Sequence, residues 1–234
     1  MNCHFKAAMA HFFFFILPVF VFAGPVPDTG QTKCYNATVE IPCPQPGEAF
    51  YGQDAQYKGP VRSYSKLGQN GVTLPDSATQ AEGWIMTRDN VTGLIWEVKT
   101  NKDGTKNYAN PNDADNTYNW YDSNPATNGG NPGTASSTDT EDFIGALNAA
   151  NFAGFSDWQL PTIKELSTLV NSAIPNPGPT IDTTWFPSTG SGIFWSSITD
   201  AGSGYAWSVY FSDGRVNSST KVGSLYVRAV RAGQ

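Results

Sequence analysis

The sequence predicts an α+β domain: two short helices and a twisted antiparallel sheet joined by long loops, behind a Pro/Gly-rich arm stapled by a disulfide. Three observations predict it. Two amphipathic runs, 139–150 and 163–171, each follow a threonine that has a glutamate three residues further on. Short aromatic and β-branched runs recur with Asn, Asp and Gly between them, as antiparallel strands and hairpins require. Cys34 and Cys43 both fall in a proline-rich lead-in.

Residues 1–23 read as a secretory signal peptide. Lys6 is its only charge, an apolar run extends from Phe12 to Phe22, and Val21 and Ala23 place small residues for cleavage before Gly24. The run is shorter than the roughly 20 residues a membrane helix needs, and no later run is apolar enough to span a bilayer. No cysteine stands directly after the cleavage point, so a lipid anchor is not expected. The expected location is the periplasm, the cell surface or the extracellular space.

His4, His11 and Cys3 lie in this leader. The remaining chain has no histidine and two cysteines. The formal charge is −6 and the charged fraction only 15%. A nucleic-acid partner is not expected, because phosphate binding needs clustered Lys and Arg. In an oxidising compartment Cys34 and Cys43 are expected to pair. The rival, a metal site, lacks ligands: two cysteines without histidine cannot complete tetrahedral zinc.

Residues 24–78 carry seven prolines, among them Pro42, Pro44 and Pro46, together with Tyr35, Phe50, Tyr51, Tyr57 and Tyr64. Two readings stand here: an extended arm with a stapled loop, laid on the main domain or a partner, or a flexible linker. The main domain is placed at 79–234. Its first feature is a hairpin, 84–88 and 94–99, turning at Asp89-Asn90-Val91-Thr92-Gly93.

Residues 100–137 form the least regular stretch, dense in Asn, Asp and Gly. Loops of this length are uncommon and often functional. Two readings compete. The oxygens of Asn112, Asp113 and Asp115 gather Ca²⁺, which takes six to eight hard oxygen ligands, or these residues only close turns through their side chains. No EF-hand spacing occurs. Trp120 and Tyr121 are candidates to stack on a sugar ring; the alternative is burial in the core.

The two helical runs share a start signal. Thr138 with Glu141, and Thr162 with Glu165, each read as a capping box. Phe143, Ile144 and Leu147 form the apolar stripe of the first helix, and Leu166, Leu169 and Val170 that of the second. Between them, Gly154-Phe155-Ser156-Asp157-Trp158-Gln159-Leu160-Pro161-Thr162 reads as a turn that drives aromatic rings into the core. Pro175, Pro177 and Pro179 exclude further helix. Strands follow at 193–198, 205–211, 216–219 and 226–231, the middle pair turning at Ser212-Asp213-Gly214-Arg215. In the long strand Trp207, Val209 and Phe211 are expected on one apolar face.

Taken in order, Asp89-x-x-Thr92-Gly93-Leu94-Ile95-Trp96-Glu97, Gly154-Phe155-x-Asp157-Trp158-x-Leu160-Pro161-Thr162-x-x-Glu165-Leu166, Trp195-Ser196-Ser197, Ala206-Trp207-x-Val209-x-Phe211-x-Asp213-Gly214 and Val227-Arg228-Ala229-Val230-Arg231 form a specific set. Over residues 84–231 it resembles the bacterial Lcl C-terminal domain family, named for a collagen-like surface adhesin of Legionella. The resemblance implies a C-type lectin-like fold, also similar to that of the formylglycine-generating sulfatase modifiers. It further implies an exported binding and adhesion module, often for carbohydrates or glycosaminoglycans.

The chemistry of the fold's enzymes and calcium lectins does not carry over. No cysteine follows Cys43, the chain after the leader has no histidine, and Trp195 is followed by Ser196-Ser197 rather than Asn-Asp. Basic candidates for a sulfated glycan are Lys99, Lys102, Lys106, Arg215 and Lys221. If the loops hold a site, it lies between the 101–121 loop and the Asp213–Arg215 turn, with Trp120, Tyr121, Asp213 and Arg215 as its residues.

Three functions follow. The first is a non-enzymatic adhesin binding glycans or surface proteins, with a homo-oligomer compatible. The second is an assembly subunit of an extracytoplasmic complex, docking through the arm. The third is a glycan-cleaving enzyme, which without histidine has only carboxylates such as Asp113, Asp115 and Asp213 to use.

Overall fold

The computed structural model describes residues 25–202 and 204–233. The signal-peptide expectation falls on 1–23 and lies outside them. Among the described residues no helix is long and apolar enough to cross a membrane.

Among the described residues the fold is mixed, with few helices and three small antiparallel sheets. The first is a ribbon of β1 (Cys34–Tyr35) and β2 (Glu40–Ile41). Beside it the expected disulfide joins Cys34 to Cys43. The second is four-stranded, in the order β3 (Tyr64–Leu67), β4 (Met86–Asp89), β5 (Ile95–Glu97) and β9 (Val230–Arg231). The third is the meander β6 (Ile193–Thr199), β7 (Tyr205–Tyr210) and β8 (Val216–Thr220).

The lead-in is therefore more than an arm. Its residues Tyr64 to Leu67 pair with Asp89 to Met86 as an edge strand of the main sheet. Arg62 donates from its two terminal guanidinium nitrogens to the carbonyls of Thr168 and Val170. The two Arg62 bonds reach across more than a hundred residues of chain, and no local pattern announces them.

Helix α1 (Thr140–Ala149) buries Phe143 and Leu147, as its stripe requires. Its cap differs from expectation. Asp139, not Thr138, is the N-cap, and its carboxylate accepts from the Asp142 backbone N–H at 2.9 Å. The helix starts one residue late, which leaves Glu141 at N2, unable to close a box. It instead accepts from the Ser123 N–H and hydroxyl at 2.8 and 2.9 Å. Helix α2 (Ile163–Ser167) has the expected Thr162–Glu165 box, with Glu165 accepting from the Thr162 N–H at 2.7 Å. It is one turn shorter than the apolar stripe, yet Leu166 and Leu169 are both buried.

Two apolar clusters fill the interior. One gathers Met86, Ile95, Tyr118, Trp120, Phe143, Trp158, Trp195 and Ala206. The other gathers Trp96, Leu166, Phe186, Phe194, Val209, Phe211 and Val230. Strand β7 serves both. Val209 and Phe211 are buried as expected, but Trp207 is half-buried while Ala206 and Ser208 are fully buried. The strand passes between the clusters, so both of its faces carry buried residues. Gly214 makes the expected turn at φ 77°, where its missing side chain also avoids Val170.

Candidate functional site

The five motif pieces meet around β9. Gln159 and Val230 exchange backbone hydrogen bonds, both at 2.9 Å. Trp96 pairs with Val230 across the sheet. Glu97 sits beneath the same strand, one carboxylate oxygen accepting from the Ala229 N–H at 2.9 Å. Trp195 donates its indole N–H to the Tyr118 carbonyl at 2.8 Å, and Trp158 donates its own to the Phe152 carbonyl at 3.0 Å. The nonapeptide thus inserts Trp158 into the core as expected, and it leaves Gln159 exposed at the surface beside α1.

A cleft of about 300 Å³ opens there, lined by Trp120, Tyr121, Asp122, Thr140, Glu141, Ile144, Gln159, Leu160, Thr162 and Ser197. Ile144, Leu160 and the aromatic rings supply apolar wall; carboxylates, an amide and hydroxyls supply hydrogen-bonding groups. The 120–133 loop forms one side and is firmly tied down. The Lys221 ammonium donates to the Asn128 and Asn131 carbonyls and sits 4.2 Å above the Trp120 ring. Gly133 (φ 84°) packs on the Trp120 carbonyl, where a side chain would collide. Tyr121 is held through its backbone, its N–H donating to the Thr140 hydroxyl and its carbonyl accepting from it.

A family model described as the Lcl C-terminal domain matches residues 85–231. The chain belongs to the Lcl C-terminal domain family. The match spans the hairpin, both helices, the meander and β9, and so includes every wall of the cleft. Membership suggests an adhesin-like surface module. No curated protein matches the chain.

Within this Lcl C-terminal domain the expected site residues divide between separate places. Tyr121 is half-buried at the cleft. Trp120 is 1% exposed and donates its indole N–H to the Ser196 carbonyl at 2.9 Å, so it is a core residue whose edge backs the cleft. Asp213 and Arg215 lie at the far end of the β7–β8 hairpin. Trp120 bonds to Lys221, next to the opposite end. Five strand residues, about 17 Å, separate the two places. One site cannot contain all four, and the signal for Trp120, an aromatic in an Asn-rich loop, could not tell core from surface.

The oxygens assigned to calcium are engaged in turn and core hydrogen bonds. Asn112 reaches inward, its amide donating to Glu97 and to the Val98 carbonyl at 2.8 and 2.9 Å. Asp113 accepts from the Asp115 N–H. Asp115 accepts from the Asp103 and Gly104 N–H groups, both at 2.7 Å. Among the described residues no group of three His, Cys, Asp or Glu side chains is placed to hold a metal ion.

The basic candidates are likewise dispersed. Lys99 and Lys221 are buried and bonded to protein groups. Lys106 donates to the Thr117 hydroxyl, and Lys102 sits over the Tyr226 ring. The cleft's rim is acidic instead, with the Asp122 and Glu141 carboxylates in its lining. Beside it, Asp139, Glu141 and Asp142 share the α1 N-terminus, and the Asp142 carboxyl is held above its ordinary value by burial, then by Asp139 and Glu141. Sequence reasoning missed Gln159 and Glu141 as site residues, because both sat in segments already explained as turn and cap.

Proposed function

We propose that this chain is an exported, non-enzymatic adhesin module with a C-type lectin-like fold, and that its cleft takes a neutral or amino sugar. The single observation that carries this is the composition of the cleft: a half-buried tyrosine and two aliphatic side chains facing carboxylate, amide and hydroxyl groups. Sugars present an apolar ring face and a hydroxyl rim, and an aromatic wall with a few directed polar groups is the complementary surface. The acidic rim disfavours sulfated glycans, so a glycosaminoglycan is not the ligand this cleft suits. The unbroken Gln159–Pro161 segment and the buried, bonded neighbours give it a rigid floor, which lowers the ordering cost of binding. Export rests on the leader reading of residues 1–23 and on the disulfide.

A glycan array probed with residues 24–234, with millimolar Ca²⁺ and again with EDTA, tests the reading. Binding to neutral or amino sugars in both arms is expected. Tyr121→Ala and Gln159→Ala should each weaken it about tenfold, equivalent to ~1.4 kcal/mol, with unchanged unfolding midpoints. Binding lost in EDTA would restore a metal-dependent site, and binding confined to sulfated glycans would exclude the cleft.

A second reading, an assembly subunit, draws on one observation. Tyr35, Phe50, Tyr51 and Tyr57 are all more than 40% exposed on the disulfide-stapled lobe. Light scattering that finds only monomer, with no protein co-purifying, would remove it.

A further inference from the structure

We propose that Lys99 and Asn112 become joined by a side-chain amide bond, formed within the folded domain with Glu97 as the proton carrier. The three side chains are all buried: Glu97 0%, Lys99 4% and Asn112 8% exposed. One oxygen of Glu97, Oε1, lies 2.9 Å from the Lys99 ammonium nitrogen and 2.8 Å from the Asn112 amide nitrogen. Two groups that share one acceptor oxygen at such distances stand no more than about 6 Å apart. The Lys99 nitrogen also donates to the Pro111 carbonyl at 3.1 Å, so it already rests on the chain immediately before Asn112. The Thr100 hydroxyl donates to the Asn112 side-chain carbonyl at 3.2 Å. Nucleophile, electrophile, proton carrier and a donor for the carbonyl oxygen are thus assembled in one buried cluster.

The environment favours this chemistry. The Lys99 nitrogen faces the Phe143 ring at 4.4 Å, and burial holds its ammonium below the ordinary range, Glu97 opposing. A desolvated lysine is a better nucleophile than a hydrated one. Exclusion of water removes the competing hydrolysis, and fixed neighbours act at high effective concentration. Arg228 lies alongside, donating to the Glu97 backbone carbonyl and to the Thr189 hydroxyl, and it supplies the cluster's positive charge whether or not Lys99 stays ionised.

The step balances without oxidant, reductant or co-reactant. Glu97 takes a proton from the Lys99 ammonium across their 2.9 Å contact. The free amine attacks the side-chain carbonyl carbon of Asn112, and the Thr100 hydroxyl stabilises the resulting oxyanion. Glu97 returns the proton to the Asn112 amide nitrogen. The bond from that nitrogen to carbon breaks, and the surplus proton on the new amide nitrogen leaves with it. One carbon–nitrogen bond forms, one breaks, and the products are a secondary amide and ammonium. The product ties the base of the 100–111 loop to the strand that carries the motif's Trp96-Glu97.

Mass spectrometry of the purified full protein decides the matter. The expected result is an intact mass one ammonia below that of the disulfide-bonded sequence, and a branched tryptic peptide in which Lys99 is uncleaved and linked to Asn112. An unmodified mass with two linear peptides, or Asn112 merely deamidated, overturns the proposal. In Glu97→Gln the branched peptide should disappear while the disulfide peptide remains. The wild-type mass stands as the test even if that variant fails to fold.

Discussion

Arg231 holds Asp157 through two parallel hydrogen bonds, at 2.7 and 3.0 Å, while its guanidinium lies 3.7 Å from the Phe155 ring centroid. The last motif of the family segment is thereby fastened to the nonapeptide that launches α2. Arg231 is almost wholly buried and Asp157 about half exposed. The partner that loses most without the bond is the arginine.

Asp157→Asn should lower stability by about 1 kcal/mol, a modest value because solvent screens the exposed carboxylate. Arg231→Lys should cost more, about 1–2 kcal/mol, because lysine supplies neither the planar fork nor the stacking on Phe155. Urea unfolding midpoints measured side by side check the order of the two; equal effects would refute it.

The caps make a second comparison. Asp139→Ala and Thr162→Ala should each cost about 1 kcal/mol, the usual loss when an N-cap acceptor is removed. Thr138→Ala should stay within about 0.5 kcal/mol, since its hydroxyl caps nothing. Chemical denaturation separates the two cases; a Thr138 effect as large as that of Asp139 would return the cap to the earlier residue.

Acid should weaken the 79–82 turn through Glu82. The Glu82 carboxylate accepts from the Thr79 N–H and hydroxyl, both at 2.8 Å, and the backbone bond leads in holding it below its ordinary value of 4.5. A lowered carboxylate favours the native state above its unfolded value, and that contribution is lost as pH falls through the folded value. Wild type should therefore exceed Glu82→Gln in thermal stability at neutral pH and lose the advantage progressively as pH falls below the ordinary value of 4.5. A difference that persists undiminished in acid would show that the titration has no part in it.

Reducing the disulfide should loosen the lobe, not the domain. The bridge spans 9 residues of sequence, for which chain entropy gives roughly 2–3 kcal/mol. Among the described residues the two-residue strands β1 and β2 pair only with each other. In Cys34→Ser/Cys43→Ser, hydrogen exchange should quicken at the Tyr35 and Glu40 amides and stay unchanged in β6 and β7. Loss of protection in the meander would show that the lobe supports the main domain.

Signals that act over three or four residues were legible in the sequence. The Thr162–Glu165 box, the Phe143/Leu147 stripe, the Asp213-Gly214 turn and the 86–97 hairpin each form by contacts between near neighbours, and each lies where the spacing put it. The disulfide was legible too, since only two cysteines lie beyond residue 23. The ordered motif set identified the family.

Tertiary structure alone decided which polar and aromatic residues go inside. Trp120 and Tyr121 are adjacent in an Asn-rich loop; Lys221, a hundred residues on, covers one while the other borders the cleft. Asn112 could serve a turn, a metal or a core, and Glu97, fifteen residues before it, settled the matter by bonding its amide. Tyr64 to Leu67 became a strand because β4 offered an unpaired edge. Burial and hydrogen-bond satisfaction are properties of packed surfaces far apart in sequence, and local patterns cannot report them.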